Sequence, residues 1–357
     1  MSAPIKGLVL SGGSGTRLRP ITHTSAKQLV PVANRPVLFY GLEALREAGV
    51  TDVGIIVGDT HAEIEAAVGD GSALGIRATY IRQEAPLGLA HAVLTAEEFL
   101  DGSPFVMYLG DNLLRDGITD LVDNFRAGGA DATILLQRVP NPRAYGVAEL
   151  EGGRVVRLVE KPPEPKSDMA LVGVYLFTPA IMDSAKAISP SGRGELEITD
   201  AIQHMIDRDL RVEWHEVSGW WKDTGRIEDM LEANRLILDV VEPRIEGDLI
   251  DTTVEGRVVI EAGARLVNSA VRGPAVIGAG AVIENAYIGP YTAISDRVVV
   301  RTAEVEHSIL LADSRVEDLD ARVESSLIGR GVTIARTDAK PRAYRFMIGD
   351  SSSVGLI

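Results

Sequence analysis

"IKGLVLSGGSGTRLRPIT", Ile5 to Thr22, is the stretch from which the fold can be read. Leu8, Val9 and Leu10 form a short continuous apolar run, the pattern of a buried strand. Gly12, Gly13, Ser14 and Gly15 end that run and lead directly into Thr16 and Arg17. A glycine loop after a strand lets backbone N–H groups approach one anion closely and point at it. Two common loops of this kind are excluded. A Walker loop needs a Gly-Lys pair, and none occurs in this stretch; the dinucleotide fingerprint needs a third small residue where Leu18 stands. What remains is a neutral cradle with two cations, Arg17 and, ten residues on, Lys27. That combination suits a polyphosphate. Taken alone, the loop is equally consistent with a plain strand-to-helix turn carrying a surface arginine.

Outward from this loop, strand and helix signals alternate. "RPVLFYGLEALREAGV" carries apolar residues at helical spacing and stops at Gly49; "DVGIIVG" reads as a strand and "HAEIEAAVGDG" as a short helix. "ATYIRQE", "GLAHAVLTAEEFLDG" and "PFVMYLGDN" continue as strand, helix and strand, and a further helix leads to "DATILLQRV". Such repeats imply an α/β fold with a Rossmann-like, mostly parallel sheet covered by helices. Ligands of these sheets bind outside the carboxyl ends of the strands. The glycine loop and "GDN" both fall at such ends. From about Tyr145 the pattern is mixed, with a hairpin expected around Gly152 and Gly153, a strand at "ALVGVYLF", and helices at "ITDAIQHMIDRD" and "RIEDMLEANRLILDVV". No linker interrupts the chain before Val241, so residues 1–241 are expected to form one domain.

After Glu242 helical periodicity disappears. Ile260, Ile277, Ile294, Leu311 and Ile328 each stand 17 residues after the last, with Leu266, Val271, Ile283, Ile288, Val300 and Val305 between them at steps of six, five and six. Three near-hexads per period describe a coil with three flat sides, a left-handed parallel β-helix of hexapeptide repeats. Residues 242–357 are therefore expected to form a second domain, with about four to five coils between Gly256 and Ile334. Flat faces and open ends of such a coil invite neighbours, so a homo-oligomer is expected, with the β-helix organising subunits.

Composition removes several function classes. Lys and Arg total 36 against 51 Asp and Glu, a net charge of −15, and no basic block stands out, which disfavours nucleic acid as a partner. There is no cysteine, so disulfide frameworks and thiolate metal sites are excluded and a reducing cytoplasm is expected. The longest apolar runs, such as Leu171 to Phe177, are far too short to span a bilayer, and no membrane role is expected.

"GGSGTRLRPITHTSAKQLVPVANRPVLFY", Gly12 to Tyr40, closely resembles the signature of the sugar-1-phosphate nucleotidyltransferases. "QEAPLGLAHAV", "YLGDN", "YGVAEL", "VEKP", "LVGVYLF", "GELEITD" and "WWKDTG" follow in the family's order, so the resemblance covers about residues 5 to 240. With the tail, the whole chain resembles the family's long form. The resemblance implies that a sugar 1-phosphate attacks the α-phosphorus of a nucleoside triphosphate and pyrophosphate leaves. The implied substrates are dTTP (or UTP) and glucose 1-phosphate. The nucleophile is already an anion, so electrostatics and in-line positioning must carry the rate. The triphosphate would lie on Leu10, Gly12, Gly13, Ser14, Gly15 and Thr16. Arg17 would stabilise the departing pyrophosphate and Lys27 would bridge phosphates. Mg²⁺ is implied on Asp111 and Asp223, a ligand pair that suits an ion keeping waters and phosphate oxygens. Gln83 and Gly88 would meet the base, since an amide matches a pyrimidine imide edge. Tyr145, Gly146, Glu160, Lys161 and Val172 would meet the sugar phosphate. Lys222, between Trp221 and Asp223, departs from the apolar residue common in short forms and adds a cation near the metal position.

Two other classes compete with this reading. Left-handed β-helices also form acetyltransferases, which need a histidine base; the tail offers only His307, for which a solvated or stacked structural place is expected. A nucleotide-sensing relative without catalysis would carry a damaged phosphate or metal set, whereas Arg17, Lys27, Asp111 and Asp223 are all present. Trp214, Trp220 and Trp221 are expected to serve packing.

Overall fold

A computed structural model describes residues 4–13, 15–23, 26–337, 344 and 346–355; Ser14 of the glycine loop lies outside them. The chain forms two compact units. The first holds Val37–Asp223, the opening strand and the turn carrying Lys27; the second holds the chain from Thr224 on, with Gly15–Leu18, Ile21–His23 and Val30–Pro36.

The opening strand β1 (Lys6–Leu10) is followed by a hairpin of two-residue strands, β2 (Pro31–Val32) and β3 (Arg35–Pro36), and by helix α1 (Val37–Glu47). Strand β4 (Asp52–Val57), helix α2 (His61–Val68), strand β5 (Arg77–Arg82), helix α3 (Leu89–Thr95), helix α4 (Glu97–Leu100) and strand β6 (Phe105–Leu109) complete the expected alternation. The helix expected over "GLAHAVLTAEEFLDG" is thus broken, at Ala96. Then come β7 (Asn112–Leu114), α5 (Thr119–Gly128), β8 (Ala132–Arg138), the hairpin β9 (Gly146–Glu151) and β10 (Arg154–Glu160), and β11 (Met169–Phe177). Helices α6 (Ala180–Ala187) and α7 (Ile198–Asp207), strands β12 (Val212–Glu216) and β13 (Trp221–Asp223) and helix α8 (Ile227–Leu238) follow.

Among the described residues the main sheet has nine strands, in the order β10-β9-β11-β6-β1-β4-β5 with β8 and β12 branching from β11. β5, β4, β1 and β6 are mutually parallel, while β11 runs antiparallel to β6, β8 and β9. Strand alternation divides the apolar residues between two faces. Leu8 and Leu10 pack with Phe105 and Met107 on one side; Val9 packs with Val106 and Tyr108 on the other. Both layers are sealed by helices, which is why β1 reads as an unbroken apolar run rather than an alternating one.

Among the described residues of the second unit, short strands stack in register into three parallel sheets of six, six and five strands, the architecture of the expected β-helix. Leu266, Val271, Ile283, Ile288, Val300 and Val305 all point inward and are buried. One position departs from the sequence pattern. Ile260, Ile277 and Ile294 pair in succession, but the next partner is Leu310 and not Leu311, and Leu310 in turn pairs with Ile328. A short corner at His307 removes one residue and the longer corner after Glu317 restores it, so the 17-residue count is recovered one coil later. A further coil, Arg244–Ile245, Asp248–Ile250 and Thr253–Glu255, stands before Gly256, where the sequence count began. Helix α8 groups with these coils, in the compact unit that continues from Thr224.

Candidate active site

The order β5-β4-β1-β6 reverses at β1, because the chain moves out through β4 and β5 and returns on the other side as β6. Such a switch point opens a crevice beyond the carboxyl ends of the two central strands. Backbone hydrogen bonds tie those ends together: Ser11 N–H donates to the Ile56 carbonyl (2.8 Å), Gly110 N–H to that of Leu10 (3.0 Å), and Gln83 N–H to that of Val57 (2.9 Å). Gly12, Gly13, Gln83 and Asp111 therefore leave the sheet at one edge.

At that edge the Lys27 ammonium contacts the Asp111 carboxylate and lies 3.9 Å from Asp223 Oδ1. The side chains are 12%, 23% and 35% exposed, respectively, so the cluster is half-sheltered and open on one side. Asp111 and Asp223 stand 112 residues apart in sequence. They meet because β13 pairs antiparallel with β7, setting Asp223 opposite Asn112 and Trp221 opposite Leu114. Alternation along β13 sends Trp221 and Asp223 to one face and Lys222 to the other.

Asn112 locks this corner. It is 2% exposed. Its Oδ1 accepts from the Gly173 N–H (3.2 Å) and from Trp221 Nε1, and its Nδ2 donates to Asp111 Oδ1 (2.8 Å). Gly173 is available because the β8–β11 register shifts between Leu171 and Tyr175. Trp221 also meets the Tyr145 ring edge-on at 5.3 Å. Asn112, which the sequence left without a role inside "GDN", and Trp221, expected only to serve packing, are thus parts of the site.

Of the residues implied for the sugar phosphate, Tyr145, Gly146, Glu160 and Lys161 gather at the open end of the β9–β10 hairpin, and Val172 lies on the neighbouring β11. Glu160 pairs across the hairpin with Gly146, and Lys161 N–H donates to the Tyr145 carbonyl (3.0 Å). A side chain on Gly146 would strike Thr199 Cγ2 (2.7 Å) and crowd Glu160 Oε2 (3.2 Å). Glu160 Oε1 meets Lys161 Nζ at 3.1 Å and Arg193 at 3.5 Å. Arg193 in turn reaches both oxygens of the buried Glu197 at 2.9 Å. Arg193 was missed, although it directly precedes "GELEITD". Val172 is fully buried, so only its backbone can face a ligand. Burial pushes the Asp200 carboxyl upward, helped by the negative charges of Glu197 and Glu160.

At the other end, Gln83 Nε2 donates to the Gly88 carbonyl (3.2 Å) and lies 2.9 Å from His91 Nδ1. Gly88 has φ 106°, and a Cβ there would collide with the Leu196 carbonyl, so this position requires glycine. Gly15, Thr16 and Arg17 belong to the second unit. There Gly15 adopts φ 62° and the Thr16–Leu18 turn buries Leu18 while leaving Arg17 exposed.

Among the described residues, no cluster of three or more carboxylates or imidazoles could hold a metal. The pair Asp111 and Asp223 nevertheless accepts a cation between its carboxylates, since the Lys27 ammonium already sits there. Two carboxylates with open positions fit Mg²⁺, which keeps waters and takes phosphate oxygens.

Residues 6–240 match the model of a family described as "Nucleotidyl transferase". A glucose-1-phosphate thymidylyltransferase of Streptomyces antibioticus is 57% identical over 353 residues, covering 98% of this chain and 99% of that protein. A crystal structure from Bacillus anthracis, of a protein provisionally assigned as a glucose-1-phosphate thymidylyltransferase and in complex with a sucrose, superimposes with a TM-score of 0.64 at 36% identity. It covers 68% of this chain and 98% of that one. A UDP-glucose pyrophosphorylase complexed with UDP-glucose superimposes with a TM-score of 0.60 at 27% identity, covering 66% of this chain and 99% of that one. Among the described residues, no helix is long and apolar enough to cross a membrane.

Proposed function

This chain belongs to the nucleotidyl transferase family, and we propose that it transfers the thymidylyl group of dTTP to α-D-glucose 1-phosphate, releasing pyrophosphate and forming dTDP-glucose. The observation that carries this reading is the Lys27 ammonium held between Asp111 and Asp223 at the switch point of the sheet. The phosphate oxygen of the sugar phosphate forms a bond to the α-phosphorus, and the bond from that phosphorus to the bridging oxygen of pyrophosphate breaks, taking its electron pair. No proton need be removed from the nucleophile.

The chain's task is to hold two anions in line. Lys27, released from its carboxylates by incoming phosphates, bridges nucleophile and α-phosphate. Arg17 follows the glycine loop in sequence and neutralises the departing pyrophosphate. Leu10, Gly12, Gly13, Ser14, Gly15 and Thr16 carry the triphosphate, and Gln83 and Gly88 orient the base. Tyr145, Gly146, Glu160, Lys161 and Val172 orient the sugar phosphate. Asp111 and Asp223 would hold Mg²⁺, which would supply neutralisation of charge at the α-phosphate. Nucleotidyl transfer is assigned to residues 1–241 and the β-helix to 242–357, with a homo-oligomer in the cytoplasm; the end of the family match at residue 240 supports this division.

UTP is the competing donor. Uracil lacks only the thymine methyl, worth about 1 kcal/mol of burial, and a pyrophosphorylase for UDP-glucose shares the fold. The higher identity and full-length match of the thymidylyltransferase favour dTTP. A pyrophosphate-release panel of dTTP, UTP, ATP and GTP against several hexose 1-phosphates decides. The highest kcat/KM for dTTP with glucose 1-phosphate is expected; a higher value for UTP overturns the thymidylyl assignment, and no release with any pair overturns the reaction. An acetyl-CoA assay run beside it addresses acyl transfer, for which His307, its ring 4.9 Å from that of Tyr291 and tilted 46° to it, is the tail's sole imidazole.

A further inference from the structure

The unit built on the β-helix also contains three segments that bracket Lys27 in sequence. Gly15–Leu18 and Ile21–His23 precede it and Val30–Pro36 follow it. None of these segments can hold its own shape. The first two are single turns of three residues, and the β2–β3 hairpin has two residues per strand. Elements this short are unstable without tertiary support.

The support comes from the coils. Ala33 and Asn34 form the hairpin turn, both with positive φ (47° and 62°). Asn34 Nδ2 donates to the Ile294 carbonyl (2.6 Å), and its Oδ1 accepts from Ser295 Oγ (3.1 Å). Asn234, 1% exposed on α8, works in the same way: its Oδ1 accepts from Ala33 N–H and its Nδ2 donates to the Tyr291 carbonyl, both at 2.9 Å. Two asparagines thus spend both ends of their amides joining the hairpin to one coil of the β-helix. The earlier turn lies beside another coil: Ile21 Cδ1 is 3.5 Å from where a side chain on Gly329 would begin. Within the turn, Thr22 Oγ1 donates to the Gly15 carbonyl at 2.7 Å.

We infer that the β-helix is a positioning scaffold for the Arg17 turn and for the hairpin beyond Lys27, with Asn34, Asn234 and Ile21 as the positioning residues. The inference rests on the role given to Arg17 above. It gives the tail a task within its own chain, in addition to any role between subunits.

Hydrogen–deuterium exchange and steady-state kinetics on the full chain test it, comparing wild type with Asn34→Ala and Ile21→Ala. Losing one to two hydrogen bonds of about 1 kcal/mol each corresponds to roughly tenfold faster local opening. Peptides covering 15–23 or 30–36 are expected to exchange about tenfold faster, while β1 and β4 stay protected. Turnover number is expected to fall about five- to twentyfold, with KM for glucose 1-phosphate within about twofold of wild type. Unchanged exchange in both peptides of the folded variants overturns the inference, and so does faster exchange with unchanged turnover. Should Asn34→Ala not fold, Ser295→Ala removes a single bond to the same amide and is read against the same outcomes. Exchange needs no substrate, so an inactive wild type would count against the nucleotidyl transfer reading and leave this test standing.

Discussion

Lys27 illustrates how little at the residue scale depends on any one side chain. Its ammonium is held at the sheet edge by Asp111 and Asp223, and the proposed role has phosphates compete for it. In a chain of net charge −15, each cation aimed at phosphate matters. Arg17→Ala and Lys27→Ala are expected to lower turnover by about ten- to a thousandfold, the range for losing one electrostatic stabiliser, with little change in thermal midpoint. Near-normal turnover in both variants would show that the opening loop does not bind phosphates. Asn112 and Arg193 went without a role at the sequence level because their functions are contacts. Asn112 reads as part of a turn until Gly173 and Trp221 are seen on its amide oxygen, and Arg193 reads as a surface cation until Glu197 is seen beneath it.

Elements were legible where their periodicity was long. β1, β4, β5 and β6 and the helices between them follow the apolar patterns, and the hairpin at Gly152 and Gly153 follows its turn residues. β13 was not legible, because three residues carry no period. Its pairing with β7 is nevertheless what brings Asp223 to Asp111. In the β-helix the 17-residue spacing located the coils but misplaced one residue, since adjacent leucines hide a one-residue slip. The geometry puts Leu310 inside the coil and leaves Leu311 out of the interior cluster. Leu310→Ala is therefore expected to cost about 2–5 kcal/mol, the range for a fully buried leucine, and Leu311→Ala clearly less. Chemical denaturation of the two variants measures the difference, and equal losses would contradict the assigned register.

For the whole molecule, composition and the glycine loop already pointed to an acidic phosphate-binding enzyme, whereas the assignment of α8, the hairpin and the Arg17 turn to the second unit could not be read from sequence order. The first coil also exposes Ile245, Leu249 and Ile250, an apolar edge suited to association. Light scattering on the full chain is expected to give a multiple of 38.2 kDa; a mass equal to one chain would contradict the homo-oligomer.

The central claim is that Asp111 and Asp223 act as one cation-holding unit at the end of the sheet, and a Mg²⁺ titration of turnover tests it most directly. Wild type is compared with Asp111→Asn, Asp223→Asn and the double variant, with asparagine keeping shape and one acceptor but losing the charge. Each single variant is expected to need more Mg²⁺ for half-maximal rate and to turn over more slowly. The double variant is expected to be little worse than the worse single, because residues acting as a unit are not additive. An unchanged Mg²⁺ requirement in either single variant, or losses that multiply in the double, would contradict the account.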